Sequence, residues 1–147
     1  MNLSLKSLTL IALLFVAAST AISGASSRSQ PVFHYGPRVS TLSGVVDTRV
    51  YPGPLNYESI RRGDEAETIW LVKLSKPIMV ADDGKYNEQE IGVNEIQLVI
   101  YDPKLERRLE RRIGKTAILT GTLFHAETGH HHLPVLLEIG SLRISDE

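Results

Sequence analysis

From Val39 onward, hydrophobic residues recur at alternate positions in short runs, the pattern of half-buried β-strands. In Leu42–Tyr51, Leu42, Gly44, Val46 and Val50 share one parity and are expected to face a core. A glycine inside that strand predicts a bulge or a sharp bend. Pro52-Gly53-Pro54 ends the strand, and a long polar loop, Leu55–Glu67, follows. Within it Asn56 can cap a short helical turn that Gly63 terminates. A second strand is expected at Thr68–Ser75, limited by Pro77, and a third at Glu95–Tyr101 with Ile96, Leu98 and Ile100 inward. The Asp82-Asp83-Gly84 turn signal opens an acidic, irregular stretch between them.

The period then changes. Asp102 is a good N-cap, Pro103 suits the first helical position and Gly114 closes the segment. Leu105, Leu109 and Ile113 make one apolar stripe, which predicts a helix of about three turns. A fourth strand is expected at Lys115–His125 and a fifth at Leu133–Ile139, with a short edge extension through Leu142 and Ile144. Three strands, a helix and two more strands, the first strand bent at a glycine, is the order of an OB-fold. The expected architecture is mainly β: a five-stranded Greek-key barrel with one helix between strands three and four. Such barrels bind through the loops joining strands one and two and strands four and five. This chain places its unusual residues in those two loops.

The N-terminus changes the domain count. Met1–Ala25 has one cation, Lys6, then the apolar run Leu8–Ala18 and small residues, the pattern of a cleaved secretory signal peptide. The run is too short for a comfortable membrane span. Ser26–Arg38 is polar and without period, and reads as a flexible lead-in. Residues 39–145 then form the single barrel domain. The expected location is periplasmic or secreted, with no span in the mature chain. The 147 residues include no cysteine, so an exported domain must be held by its core and not by disulfides. The 16 cations nearly balance 17 acids, which gives no global preference for nucleic acid.

Pro52–Ser59, Gly63-Asp64-Glu65, Trp70–Leu74 and above all Gly121–His132 (Gly-Thr-Leu-Phe-His-Ala-Glu-Thr-Gly-His-His-His) resemble a family of small exported bacterial domains. It is known as domain of unknown function 4431. The resemblance spans roughly Val39 to Ile139 and implies an envelope location. It brings no established activity, ligand or catalytic residue. Related chains that carry this domain beside lysozyme-inhibitor-like modules would point to cell-envelope defence.

Four of the five histidines lie in the strand four–five hairpin. Inward positions of both strands are odd-numbered, so a three-residue Glu127-Thr128-Gly129 loop would pair His125 with His131. Directly opposed residues have Cβ atoms about 4.5–5.5 Å apart, close enough for two imidazoles to share zinc or copper. Glu58, Asp64 or Glu67, on the loop between strands one and two, could supply the third ligand, with Glu58 the first candidate. The plainer reading is a polar tip whose histidines bond the neighbouring loop. In that loop Asn56, Tyr57, Glu58, Asp64 and Glu65, with Trp70 on the next strand, are candidate ligand-binding residues. Lys104, Arg107, Arg108, Arg111 and Arg112 fall within about 140° of the helix and form a candidate anion-binding face, or simply a solvated one. No phosphate loop, nucleophile elbow or His-Glu-x-x-His is present. The expected function is therefore a non-enzymatic binding module, its partner an unknown protein or small ligand of the cell envelope. A zinc or copper protein and an inhibitor or immunity-type protein against an envelope enzyme are the alternatives.

Overall fold

Six strands and one helix make up most of residues 29–144, the part of the chain that the computed structural model describes. They are β1 (Val32–His34), β2 (Val39–Pro52), β3 (Ala66–Ala81), β4 (Glu90–Val99), α1 (Pro103–Glu110), β5 (Thr116–His125) and β6 (Val135–Ile144). The expected signal peptide, Met1–Ala25, lies outside the described residues. β2 runs antiparallel between β3 and β5, and β5 is antiparallel to β6. β6 is parallel to β4, and β4 returns antiparallel to β3. Each of β2 to β6 is thus paired on both sides. The chain is mainly β, as its alternation predicts.

The alternating residues close on one another. Leu42, Val46, Val72, Ile96, Leu119, Leu123 and Leu137 meet in one core, and Leu105 and Leu109 of α1 join it. Two glycines let the strands approach closely. A Cβ at Gly44 would run into the Lys73 carbonyl, and one at Gly121 into the Glu138 carbonyl. Beside Gly121 the β5–β6 register shifts, so the expected extension through Leu142 and Ile144 continues as the same strand.

Three expectations change. Part of the stretch read as a lead-in forms β1, which pairs in parallel with Met79–Ala81 and leads into the buried Tyr35. β3 runs through Pro77 to Ala81, because Ser75–Pro77 pair with neither β2 nor β4 and a missing N–H costs no ladder bond there. Val50 is 55% exposed and not in the core. β5 leaves β2 at Val45, so the far half of β2 has no opposing wall.

The helix is also shorter than its stripe. Asp102 caps it, its side chain accepting the Lys104 N–H at 2.8 Å. Gly114 N–H then donates to the Val46 carbonyl and Val46 N–H to the Lys115 carbonyl, at 2.8 and 3.1 Å. That docking pulls the chain out of the helix before Ile113, which ends up 47% exposed. No helix among the described residues is long and apolar enough to cross a membrane.

Leu119→Ala, at a fully buried position, should cost about 2–5 kcal/mol in urea unfolding, whereas Val50→Ala should stay within about 0.5 kcal/mol. Equal losses would show that the inner and outer positions of β2 are misassigned.

Candidate functional site

β3 is apolar on both faces near its start. Val72 points into the main core, while Ile69 and Leu71 point the other way. Leu71 pairs with Gln97 of β4, and Gln97 with Leu136 of β6. Ile69, Leu71, Leu136 and Gln97 are all buried, yet none belongs to the main core cluster. The Arg49–Glu95 ion pair crosses this face beside Leu71, and the connection between β5 and β6, residues 126–134, lies against it at Gln97. Gln97 pins it there: its amide N–H donates to the His130 carbonyl at 2.8 Å, and its Oε1 accepts the N–H groups of His132 and Leu133 at 2.7 and 3.3 Å.

This corrects the expected hairpin. The inward parity of β5 and β6 is as read, but His125 pairs with Val135, not with His131. A three-residue turn would have left the outer apolar residues bare. Instead Ala126 N–H donates to the Pro134 carbonyl, and His131 organises its own loop. Its Nδ1 accepts the N–H of Glu127 at 2.8 Å and of Thr128 at 3.3 Å, and its ring meets Phe124 edge-on. His125 faces elsewhere, its Nε2 3.1 Å from Glu90 Oε1 and its ring against Tyr35. Burial first, then the charges of Glu90 and Asp83, push the Tyr35 hydroxyl up to about 12. Glu58 makes an exposed i,i+4 pair with Arg62. The proposed ligands His125, His131 and Glu58 therefore do not converge. Among the described residues no group of three or more His, Asp or Glu side chains is arranged to hold a metal ion.

The two histidines left out of that pair form the real cluster. Glu67, at the start of β3, places Oε1 2.8 Å from His130 Nδ1 and Oε2 3.0 Å from His132 Nε2. The His132 side chain is only 9% exposed and stacks on Tyr51 with ring centroids 4.5 Å apart. Burial pushes the Glu67 carboxyl up, but the hydrogen bonds to His132 and His130 outweigh it and hold the group below its usual range. Tyr57 completes the chain, its hydroxyl 3.2 Å from His130 Nε2.

Tyr57 reaches that position because its loop is tightly organised. Asp64 accepts the backbone N–H groups of Asn56, Glu58 and Ser59 at 2.6–2.8 Å, and these bonds lower its carboxyl below the usual range. Ser59 precedes a 3-10 turn, Ile60–Arg62, closed by Gly63 as the sequence implies. Tyr57 has a left-handed backbone, φ 59°, and its ring packs against Gly129, where a Cβ would come within 2.8 Å. Glu65 contributes through its backbone alone, bonding to Gly53 and Pro54.

Beside the cluster, where β3 and β4 part beyond the Trp70–Leu98 pair, lies an open cleft of about 290 Å³. Trp70, Glu67, Gln97, His130 and, from α1, Glu106 line it. Of the cationic face, Arg108, Arg111 and Arg112 share a separate groove with Leu142 and Ile144, and Arg108 donates to the Leu142 carbonyl. Lys104 and Arg107 do not line that groove.

Glu67, Gln97, His130, His132 and Tyr51 carry this arrangement, and of these only Glu67 is among the candidate ligands the sequence offers. One signal was available: Gln97 is a lone polar residue in Ile96-Gln97-Leu98-Val99-Ile100, a run apolar on both faces. The family model described as a domain of unknown function (DUF4431) matches residues 95–143, from β4 through α1, β5 and the histidine loop into β6. The resemblance carried by the histidine motif is supported over that stretch. No curated protein matches the chain.

Replacing Gln97 by Leu should cost about 1–3 kcal/mol, because the amides of His132 and Leu133 lose their acceptor. Amide exchange should accelerate in residues 126–134 more than in β5. Unchanged exchange there would show that Gln97 does not hold the loop.

Proposed function

We propose that this chain is an exported, non-enzymatic binding module of OB type, with its ligand surface where the β2–β3 and β5–β6 connections meet. The closed order of strand pairing, with α1 between β4 and β5, supports the barrel reading. The signal-peptide pattern of Met1–Ala25 supports export. The observation that carries the binding reading is that the two connections are bonded to each other beside an open cleft. Tyr57 of one meets His130 of the other, and Glu67 holds both His130 and His132. Two loops fixed to a rigid sheet present a preformed surface, which lowers the ordering cost of binding. The cleft combines an indole, a buried amide and the carboxylates of Glu67 and Glu106, and no Lys or Arg lines it. That chemistry suits a polar ligand with an apolar face and hydrogen-bond donors.

A second reading, an inhibitor or immunity-type protein, draws on the same loops. Leu55 and Ile60 on the β2–β3 connection are 80% and 44% exposed, and apolar loop tips suit insertion into a protein partner's cleft.

Trp70 is the only tryptophan, so its emission reports on the cleft directly. Titration with soluble cell-wall glycan fragments and with fractionated envelope extract should give a saturable change that Glu106→Ala weakens. If no fraction changes the emission, the cleft is not a binding site. Retention of an envelope enzyme that Leu55→Ser abolishes would favour the inhibitor reading instead.

A further inference from the structure

We propose that residues 126–134 are an acid-released lid over a hidden apolar patch, with Glu67 as the latch. The patch is Ile69, Leu71 and Leu136, on the sheet face opposite the main core. Sheet residues facing outward are ordinarily polar where one face is solvated, so three buried apolar residues there need a cover; the Arg49–Glu95 pair lies over part of that face beside Leu71, and residues 126–134 supply the rest. The cover is held mainly by polar contacts: the three bonds of Gln97, the two imidazoles on Glu67 and the Tyr57 hydroxyl on His130. Gln97 and its backbone partners do not titrate. Glu67 does, and it is a single carboxylate shared by two histidines.

The other charged and titratable groups around Glu67 do not replace it. From β2, Tyr51 stacks on His132 and its hydroxyl takes a bond from Arg49, which is itself paired with Glu95 of β4. From the β2–β3 connection, Tyr57 touches His130, while Asp64 is committed to backbone amides. Across the cleft Glu106 of α1 is the remaining acid, and His131 is turned into its own loop. Once Glu67 takes up a proton, it no longer offers an acceptor oxygen to both His130 and His132.

The sign of the effect follows from the direction of the Glu67 shift. Its carboxyl is held below the usual range in the folded chain. Its contribution is therefore complete at neutral pH, above its unfolded value, and is lost as pH falls through the folded value. The left-handed backbone of Tyr57 acts in the same direction, because a residue with a Cβ relaxes from that conformation once its contact partner is gone. Opening would bare the patch and remove His130 and His131 from the cleft wall.

The test uses the ligand-free protein, so its outcome is independent of what the cleft binds. Amide exchange, corrected for intrinsic rate, is followed from pH 7 down to about pH 2, below the ordinary carboxylate range. The amides of His132 and Leu133 should lose protection by roughly tenfold or more in acid while those of β5 keep theirs. Glu67→Gln should show the open pattern already at pH 7, with increased binding of an apolar dye. The double substitution His130→Gln, His132→Gln should do the same without altering β3. Glu90→Gln, which touches only His125, should leave the lid protected. Protection that persists in acid with the core folded would overturn the proposal. So would wild-type protection at pH 7 in both latch variants, which also decides the case if acid unfolds the whole chain.

Discussion

A sheet strand that is apolar on both faces must be covered twice, and most of this structure follows from that. β3 sends Val72 into the core and Ile69 and Leu71 out of it. The main core, closed by the paired strands and α1, can cover only the first. Part of the second cover comes from the sheet itself, in the Arg49–Glu95 pair, and residues 126–134 join it at Gln97. Those residues are mostly polar, so they cannot hold on by burying their own apolar surface. Directional bonds do the holding, and Gln97 is where most of them converge. A buried amide left unpaired would be costly, but here its donor and acceptor atoms both meet backbone partners. Register, loop length and the sorting of the histidines are all consequences of that cover.

Hydrogen-bond chemistry also assigns the state of each imidazole. A carboxylate accepts and cannot donate, so His130 presents an N–H at Nδ1 and His132 presents one at Nε2. With the proton on Nδ1, a neutral His130 has an acceptor at Nε2, and the Tyr57 hydroxyl donates to it. His131 is the reverse case, since its Nδ1 receives two backbone N–H groups and must be an acceptor. Three consecutive histidines thus have three different jobs. One joins the two connections, one folds its own loop, and one packs against Tyr51.

Much of the strand and helix order was legible, because alternation and capping are local signals. Asp102 and Pro103 marked the start of the helix correctly, and the odd parity of β5 and β6 was right. What was not legible depended on distant partners. Ile113 looked like helix stripe until Val46 captured the residues beside it. Val50 had the parity of a core residue, but the wall it would have faced ends at Val45. The turn after His125 had a good three-residue solution by local rules. It lost to a longer one because the outer face of β3 needed covering, and no rule confined to the hairpin contains that requirement. Gln97 was the available clue, a polar residue in a run otherwise suited to burial.

A nearly neutral chain can still carry strong local charge. The acids and cations almost cancel over 147 residues, but α1 stands between two surfaces of opposite sign. Glu106 turns toward the cleft, which Glu67 also lines and which has no Lys or Arg in its wall. Arg108, Arg111 and Arg112 turn toward the groove beside Leu142 and Ile144. Charge separated over one short helix gives local fields that the net charge conceals, and local fields select among partners by sign. The acidic side is also the side whose geometry depends on Glu67. A cationic ligand drawn to the cleft would therefore compete with the histidines for that carboxylate. If such a ligand binds there and the loop opens as proposed, occupancy and closure would be coupled through one side chain, each weakening the other by the same factor.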